Sequence, residues 1–330
     1  MLRSFLPIGQ GFFAVEHFQD VTIVFNCGGS KIKGVNDQIQ KNLYQNRRIN
    51  ALFITDLQNN YTNGLEYLLK NYQVDNIIIP YLNNDERLYM LAKHLLYDKA
   101  RNDILLTLLS KDKHFTNTNI IEIVGNSFFT LNDFCNRDDQ NWIIYTCNYQ
   151  YNECIKRFKK ALSQYHLEDL TFDSLLKSSN KVLTTLRSLF TNDLEGVSNS
   201  NTLVVYSGPR FKKLTDYSFN YSERKYLKGG CLYVGDFNIS SKKNYNELYN
   251  SFYRYQEFVG TITLPQHGSR HHYNNRLCID YDARFLAFCS HKFTDRYPNK
   301  EVLRSIIYYN KPLYIIDESN HPFELIIGEE

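Results

Sequence analysis

The sequence predicts an α/β fold, and three observations carry that expectation. Short β-branched or aromatic runs, such as Ala51–Thr55, Asn76–Pro80 and Thr202–Tyr206, have the length of buried strands. Segments with helical spacing, such as Leu65–Tyr72, lie between them. The succession of strand, loop, helix and strand is that of a layered α/β domain.

Taken in chain order, Ala14–Val15 and Val21–Phe25 flank His17–Asp20 and read as a hairpin, which ends in the turn Cys27-Gly28-Gly29. Ala51–Thr55 follows as a strand, then Leu65–Tyr72 as a helix and Asn76–Pro80 as a strand. Asp85–Asp98 places Leu88, Leu91, Leu95 and Leu96 on one helical face. Asn152–His166 does the same with Cys154, Ile155, Phe158, Ala161, Leu162 and Tyr165, and Phe172–Leu189 reads as a further helix. The expectation is one domain over residues 1–330, with 84–198 a largely helical insertion or subdomain carrying a strand near Trp142–Tyr145. Strand character resumes at Thr202–Tyr206, Gly230–Val234, Val259–Leu264, Phe285–Cys289 and Leu313–Ile316, with helices at Asn246–Gln256 and Asn299–Asn310.

Composition excludes several classes. The chain has 330 residues, 43% hydrophobic and 22% charged, which is a globular balance long enough for one large core. A net charge of +3 excludes a protein dominated by a phosphate-binding field, although local patches remain. The longest apolar runs are too short to span a bilayer. Residues 1–15 lack an apolar signal core and are interrupted by Gly9-Gln10-Gly11. The seven cysteines are odd in number and include no C-x-x-C, so reduced thiols in a cytoplasm are expected.

Four segments carry the functional argument. They are Ile8-Gly9-Gln10-Gly11 with Asn26-Cys27-Gly28-Gly29, the run from Leu52 to Leu65, Leu232 to Asp236, and Leu264-Pro265-Gln266-His267-Gly268-Ser269. Together they resemble the metallo-β-lactamase fold, in the branch of the hydrolase domain of the DNA-uptake protein ComEC. That branch shows V-G-Q-G, L-I-D-G-G, T-H-x-H-x-D-H-x-G-G-L, T-G-D and P-H-H-G-S in this order. The resemblance covers most of the chain but not the middle segment. It implies a four-layer αββα sandwich with its site in the strand-end loops.

The departures fall on the metal ligands. The family's H-x-H-x-D-H is matched by Asp56, Gln58, Asn60 and Tyr61, the aspartate of L-I-D-G-G by Asn26, and the first histidine of H-H-G-S by Gln266. Asp236 and His267 are kept, and a later H-P is matched by Tyr297-Pro298. A zinc site needs imidazoles and carboxylates converging on the ion, and the metal then makes hydroxide by lowering the pKa of bound water to roughly 7. Amides offer weak neutral oxygens, and a phenol with a pKa of about 10 is a poor ligand.

Three readings follow from this pattern. The first is a protein without metal or other cofactor, acting as a non-catalytic interaction or sensing subunit. Its partner would be a protein in a bacterial assembly that handles foreign nucleic acid. The second is an active hydrolase or phosphodiesterase with one Zn or Mn on Asp56, Asp236 and His267. A compensating metal or phosphate site built from His267, His271, His272 and His291, with Arg270 among the binding residues, is a further alternative. The third is a module that binds nucleic acid or a nucleotide. Arg210, Lys212, Lys213, Arg224, Lys225, Lys228, Arg270 and Arg276 lie among Tyr217, Phe219, Tyr221, Tyr226 and Tyr273, and such mixtures can track and stack a single strand.

Overall fold

The computed structural model describes all residues except 44–46, 98–101, 111–114, 136–140, 151, 195–200, 212–213, 218–226, 291–296 and 329–330. Two large sheets organise it. One has nine strands in the order Leu227–Lys228, Thr215–Tyr217, Phe323–Gly328, Leu2–Phe5, Phe12–His17, Thr22–Gly28, Ala51–Phe53, Asn76–Pro80 and Asn119–Ile123. The other has seven, ordered Leu313–Ile316, Arg284–Phe288, Val259–Thr263, Gly230–Tyr233, Asn201–Pro209, Trp142–Gln150 and Asn126–Thr130. Both are mixed. In the first sheet the strands from Thr22–Gly28 to Asn119–Ile123 are parallel, and in the second those from Gly230–Tyr233 to Leu313–Ile316 are parallel.

Side-chain alternation explains the layers. Ile23, Phe25, Phe53 and Ile78 of the first sheet face Val205, Tyr233, Leu286 and Phe288 of the second in one buried cluster. The next residues along these strands point the other way. Val24, Leu52, Ile77 and Ile79 meet Val35 and Ile39 of the helix Ile32–Asn42 and Leu65 and Leu68 of the helix Leu65–Asn71. Val204, Leu232, Phe285 and Ala287 meet Tyr245 and Leu248 of the helix Lys242–Phe252 and Val302 and Ile306 of the helix Lys300–Tyr308. Helix, sheet, sheet and helix form the αββα sandwich that the sequence motifs imply.

The segment 84–198 is largely helical and holds the strand expected near Trp142–Tyr145, with two further strands beside it. Its helices Asn84–Tyr97, Asn152–Gln164 and Asn180–Asn192 extend the helical layer on the outer face of the first sheet, where Leu91, Phe158 and Leu186 join the same buried cluster as Leu65. Three strands of the segment belong to the two sheets. Asn119–Ile123 pairs parallel with Asn76–Pro80, and Trp142–Gln150 pairs with Asn201–Pro209 over nine residues, with Asn126–Thr130 on its other side. Ile120, Ile121 and Ile123 supply the β-branched character, which the stronger 3.6-residue periodicity on either side obscured in the sequence. The expected helix Phe172–Leu189 is two helices, Phe172–Leu176 and Asn180–Asn192, with Ser179 in an extended conformation as the cap of the second. The strands Leu2–Phe5 and Phe323–Gly328, which pair with each other, were not anticipated. No helix among the described residues is long and apolar enough to cross a membrane.

A fully buried polar cluster joins the sheets. Arg3 Nε donates to Glu16 Oε1 at 2.8 Å, and both side chains are completely buried. The other guanidinium nitrogens reach the carbonyls of Gly229 at 2.8 Å and Ser207 at 3.0 Å. Glu16 also accepts from Ser207 Oγ at 2.6 Å and Tyr233 OH at 2.9 Å. Burial opposes the Arg3 charge, and Glu16 more than offsets this, so the guanidinium is held protonated. Glu16→Ala strands that charge, and its expected cost is about 3–5 kcal/mol in urea denaturation. In the double variant with Arg3→Met the second loss should be much less than additive; full additivity would show that the two side chains are not coupled.

Candidate functional site

The motif segments meet where strands of both sheets end. Asn26 has a positive φ of 56° and lies fully buried. Its amide accepts from Thr55 N at 2.7 Å and donates to Thr55 Oγ1 at 2.8 Å, tying the end of Thr22–Gly28 to the loop after Ala51–Phe53. Thr55 O in turn accepts from Leu203 N of the other sheet at 2.8 Å. Asn26 thus works as a clamp between loops and does not line the cleft described below.

The glycines allow close packing. A β-carbon on Gly28 would sit 2.5 Å from the Tyr61 carbonyl carbon and 2.6 Å from Thr62 N. One on Gly11 would sit 2.3 Å from Gly28 O. Only backbones without side chains stack the first motif, the N-C-G-G turn and the short helix Asn59–Thr62 this tightly. Asn63 adds a reciprocal pair to Gly29, accepting from its N at 3.1 Å and donating to its O at 2.7 Å. Cys27 is buried, which pushes its thiol up and leaves it without thiolate character.

Asp236 is the focus of the site. Gln58 Nε2 donates to one of its oxygens at 3.0 Å, and the Tyr61 hydroxyl donates to the other in a short hydrogen bond. The Tyr61 ring lies parallel to the His267 imidazole, with centroids 6.0 Å apart. Burial, then the negative Asp236, push the Tyr61 phenol well up, so it stays a hydrogen-bond donor. Gln266, His267 and Gly268 have φ values of 42°, 57° and 84°, three consecutive residues in the left-handed region. Such strain costs on the order of 1–3 kcal/mol per non-glycine residue. It is held in place by Gln266 N donating to Gly235 O at 3.0 Å and Asn299 N donating to Gly268 O at 3.0 Å. Burial lowers the pKa of His267, with Asp236 opposing, so the imidazole is neutral near pH 7. Its Nε2 is buried without a hydrogen-bond partner among the described residues.

These residues border an open cleft of about 600 Å³. Its walls are dominated by neutral polar groups: Gln10, Ser30, Gln58, Asn59, Asn60 and Gln266 line it together with Asp236 and His267. Sequence reasoning singled out Gln58, Asn60, Asp236, Gln266 and His267, and these meet there. It missed Ser30 and Ser290, which carry no motif signal of their own. Tyr61 and Asp56 are buried behind the wall. Asp56 feels Asp236 on one side and Lys93, from the helix Asn84–Tyr97, on the other.

The residues of the second cluster considered from sequence are placed in part. His272 is buried, and its pKa is lowered by burial against the pull of Asp236, while His271 is exposed. Arg270 turns outward to Glu301, with Nε 3.0 Å from the carboxylate. His291 lies outside the described residues, as do Lys212, Lys213, Phe219, Tyr221, Arg224, Lys225 and Tyr226. Among the described residues no group of three or more His, Cys, Asp or Glu side chains is placed to hold a metal ion. Both Asp236 oxygens are engaged and Asp56 lies off the cleft, so the donor set does not fit a zinc centre.

No family model matches the chain, and no curated protein does. Solved structures show a distant likeness. The metallo-β-lactamase fold protein YhfI from Bacillus subtilis has 9% identity and a TM-score of 0.46, over 96% of this chain and 98% of that one. The short form of human tRNase Z has 12% identity and a TM-score of 0.44, over 99% and 98%. Igni18, a metallo hydrolase from Ignicoccus hospitalis, has 10% identity and a TM-score of 0.43, over 100% of both chains. At TM-scores below 0.5 the likeness stands as an observation only, and the architecture rests on the sheets and layers themselves.

Asp56 gives the site a pH signature. Burial, then repulsion from Asp236, raise its pKa well above the usual carboxylate range, against the pull of Lys93 and hydrogen bonds from Gln58. A raised folded pKa contributes stability below the unfolded value of about 3.9, and that stability is lost as pH rises through the folded value. Asp56→Asn should therefore melt higher than wild type at pH 8, with the difference shrinking towards pH 4. A variant that melts lower at pH 8 would mean that the carboxylate is charged and well paired there.

Proposed function

We propose that this chain is a non-catalytic, ligand-depleted relative of the metallo-β-lactamase-fold hydrolases, nearest in type to the ComEC branch. In this reading it binds no catalytic metal and serves as an interaction or sensing subunit of a bacterial assembly that handles foreign nucleic acid. The observation that carries the reading is the state of Asp236. Both of its oxygens accept hydrogen bonds from Gln58 and Tyr61, the residues that replace motif histidines. Two neutral donors do for the buried carboxylate what a cation would otherwise do. The cleft is lined mainly by amides and hydroxyls, which are weak metal ligands. Such a surface suits recognition of a partner's polar groups.

One observation favours a second reading, a one-metal hydrolase on Asp56, Asp236 and His267. The buried Nε2 of His267 has no partner among the described residues, as a metal ligand awaiting its ion would. Against it, a metal would have to displace both donors from Asp236 and draw Asp56 through the cleft wall.

Elemental analysis separates the two. Protein purified without added metal should hold no stoichiometric zinc or manganese, and it should not hydrolyse generic phosphodiesters. About one metal per chain in wild type, lost in both Asp236→Ala and His267→Ala, would establish the one-metal hydrolase instead.

A further inference from the structure

The outer face of the seven-stranded sheet carries a second pocket, at the far end of the strand Asn201–Pro209. Thr202 and Leu203 meet Thr55 at the cleft end of that strand. Arg210 follows its other end, roughly 23 Å away at the usual rise of a strand. Tyr255, in the turn after the helix Lys242–Phe252, is buried at one side of the pocket, while Phe128 on the edge strand stands 41% exposed. Phe128 pairs directly across from Tyr145, so both rings share this face. With Arg210, Phe211, Arg254 and Tyr255 they line a pocket of about 450 Å³.

Its chemistry is one-sided. The Arg210 guanidinium carbon lies 4.9 Å from the Phe128 ring centroid and 4.5 Å from that of Phe211, so two rings hold the cation. Phe211 is 68% exposed. No carboxylate lines the pocket, and neither Arg210 nor Arg254 has an ion-pair partner among the described residues. The two guanidiniums act on the same place: burial raises the Tyr255 phenol, while Arg254, which also hydrogen-bonds to it, and Arg210 pull it back.

We propose that this pocket binds single-stranded nucleic acid, with Phe128 and Phe211 stacking unpaired bases and Arg210 and Arg254 taking the phosphodiester. Exposed ring faces suit bases of any sequence, and fork-shaped guanidiniums suit phosphate oxygens. A duplex hides its base faces within the stack and would leave the rings unused. The pocket is separate from the amide-lined cleft, and it stands whether or not the cleft is catalytic.

Fluorescence anisotropy of a labelled 15-nucleotide oligothymidylate on the full chain tests it, with the matching duplex and inorganic phosphate as competitors. Wild type should bind the single strand in preference to the duplex. Phe211→Ala should weaken binding about ten-fold, within the range measured for loss of one stacked base. Arg254→Ala should weaken it and reduce the slope of log K against log salt by about 0.7, while Arg254→Lys retains the slope. His267→Ala in the cleft should leave binding unchanged. Phe211 and Arg254 are exposed, so both variants should melt as wild type does, and they carry the test even where Arg210→Ala disturbs the fold. Absence of binding by wild type would overturn the proposal. So would binding that Phe211→Ala and Arg254→Ala leave intact, duplex binding of equal strength, or displacement by phosphate as effective as by single strand.

Discussion

The buried Arg3–Glu16 pair is the constraint on which the sandwich depends. Two sheets could slide over an apolar interface at little cost, because dispersion and burial are not directional. A fully buried charge pair removes that freedom. Arg3 and Glu16 lie opposite each other on neighbouring strands of the first sheet, and their remaining hydrogen bonds go to Gly229, Ser207 and Tyr233 on the side of the second. Trp142 Nε1 donates to Ser207 Oγ at 3.0 Å and extends the cluster across a third strand. Any shift between the sheets would leave a charge or a donor unsatisfied in a dry interior, which costs far more than losing a few apolar contacts.

That alignment positions the cleft. The loops after Thr22–Gly28 and Ala51–Phe53 come from one sheet, while those carrying Asp236 and His267 come from the other. Gln58 and Tyr61 can reach Asp236 only if the sheets keep their register. The aromatic stack of Phe25 on Tyr233, with centroids 4.2 Å apart, fills the space between this end and the polar cluster. The backbone at Gln266–Gly268 runs through three consecutive left-handed residues. Neighbouring loops now hold it by Gly235 O and Asn299 N. The side chains around Asp236 are mutually consistent, since an amide and a phenol supply the donors that a buried carboxylate needs.

The αββα architecture was legible in the sequence, and so was the gathering of Gln58, Asn60, Asp236, Gln266 and His267. Continuous β-branched runs such as Ile77–Ile79 and ordered glycine turns are local signals, and they survive in a single sequence. The strands Asn119–Ile123 and Asn126–Thr130 were not legible, because their identity depends on partners supplied by distant segments. Asp56 reads from sequence as a cleft residue, yet it sits behind the wall beside the field of Lys93. No spacing in the sequence joins positions 56 and 93; a helix packed on the outer face of the sheet does.

The sequence by itself determined the layered α/β architecture and most of its strands and helices, because periodicity, turn chemistry and side-chain donor type are properties of short stretches. Only the tertiary structure decided what the replacements do: Asn26 clamps a loop, Tyr61 and Gln58 saturate Asp236, and Arg210 and Arg254 converge on an aromatic pocket. Hydrogen bonds and fields act over a few ångströms in space, and those distances exist only after the two sheets have closed on each other.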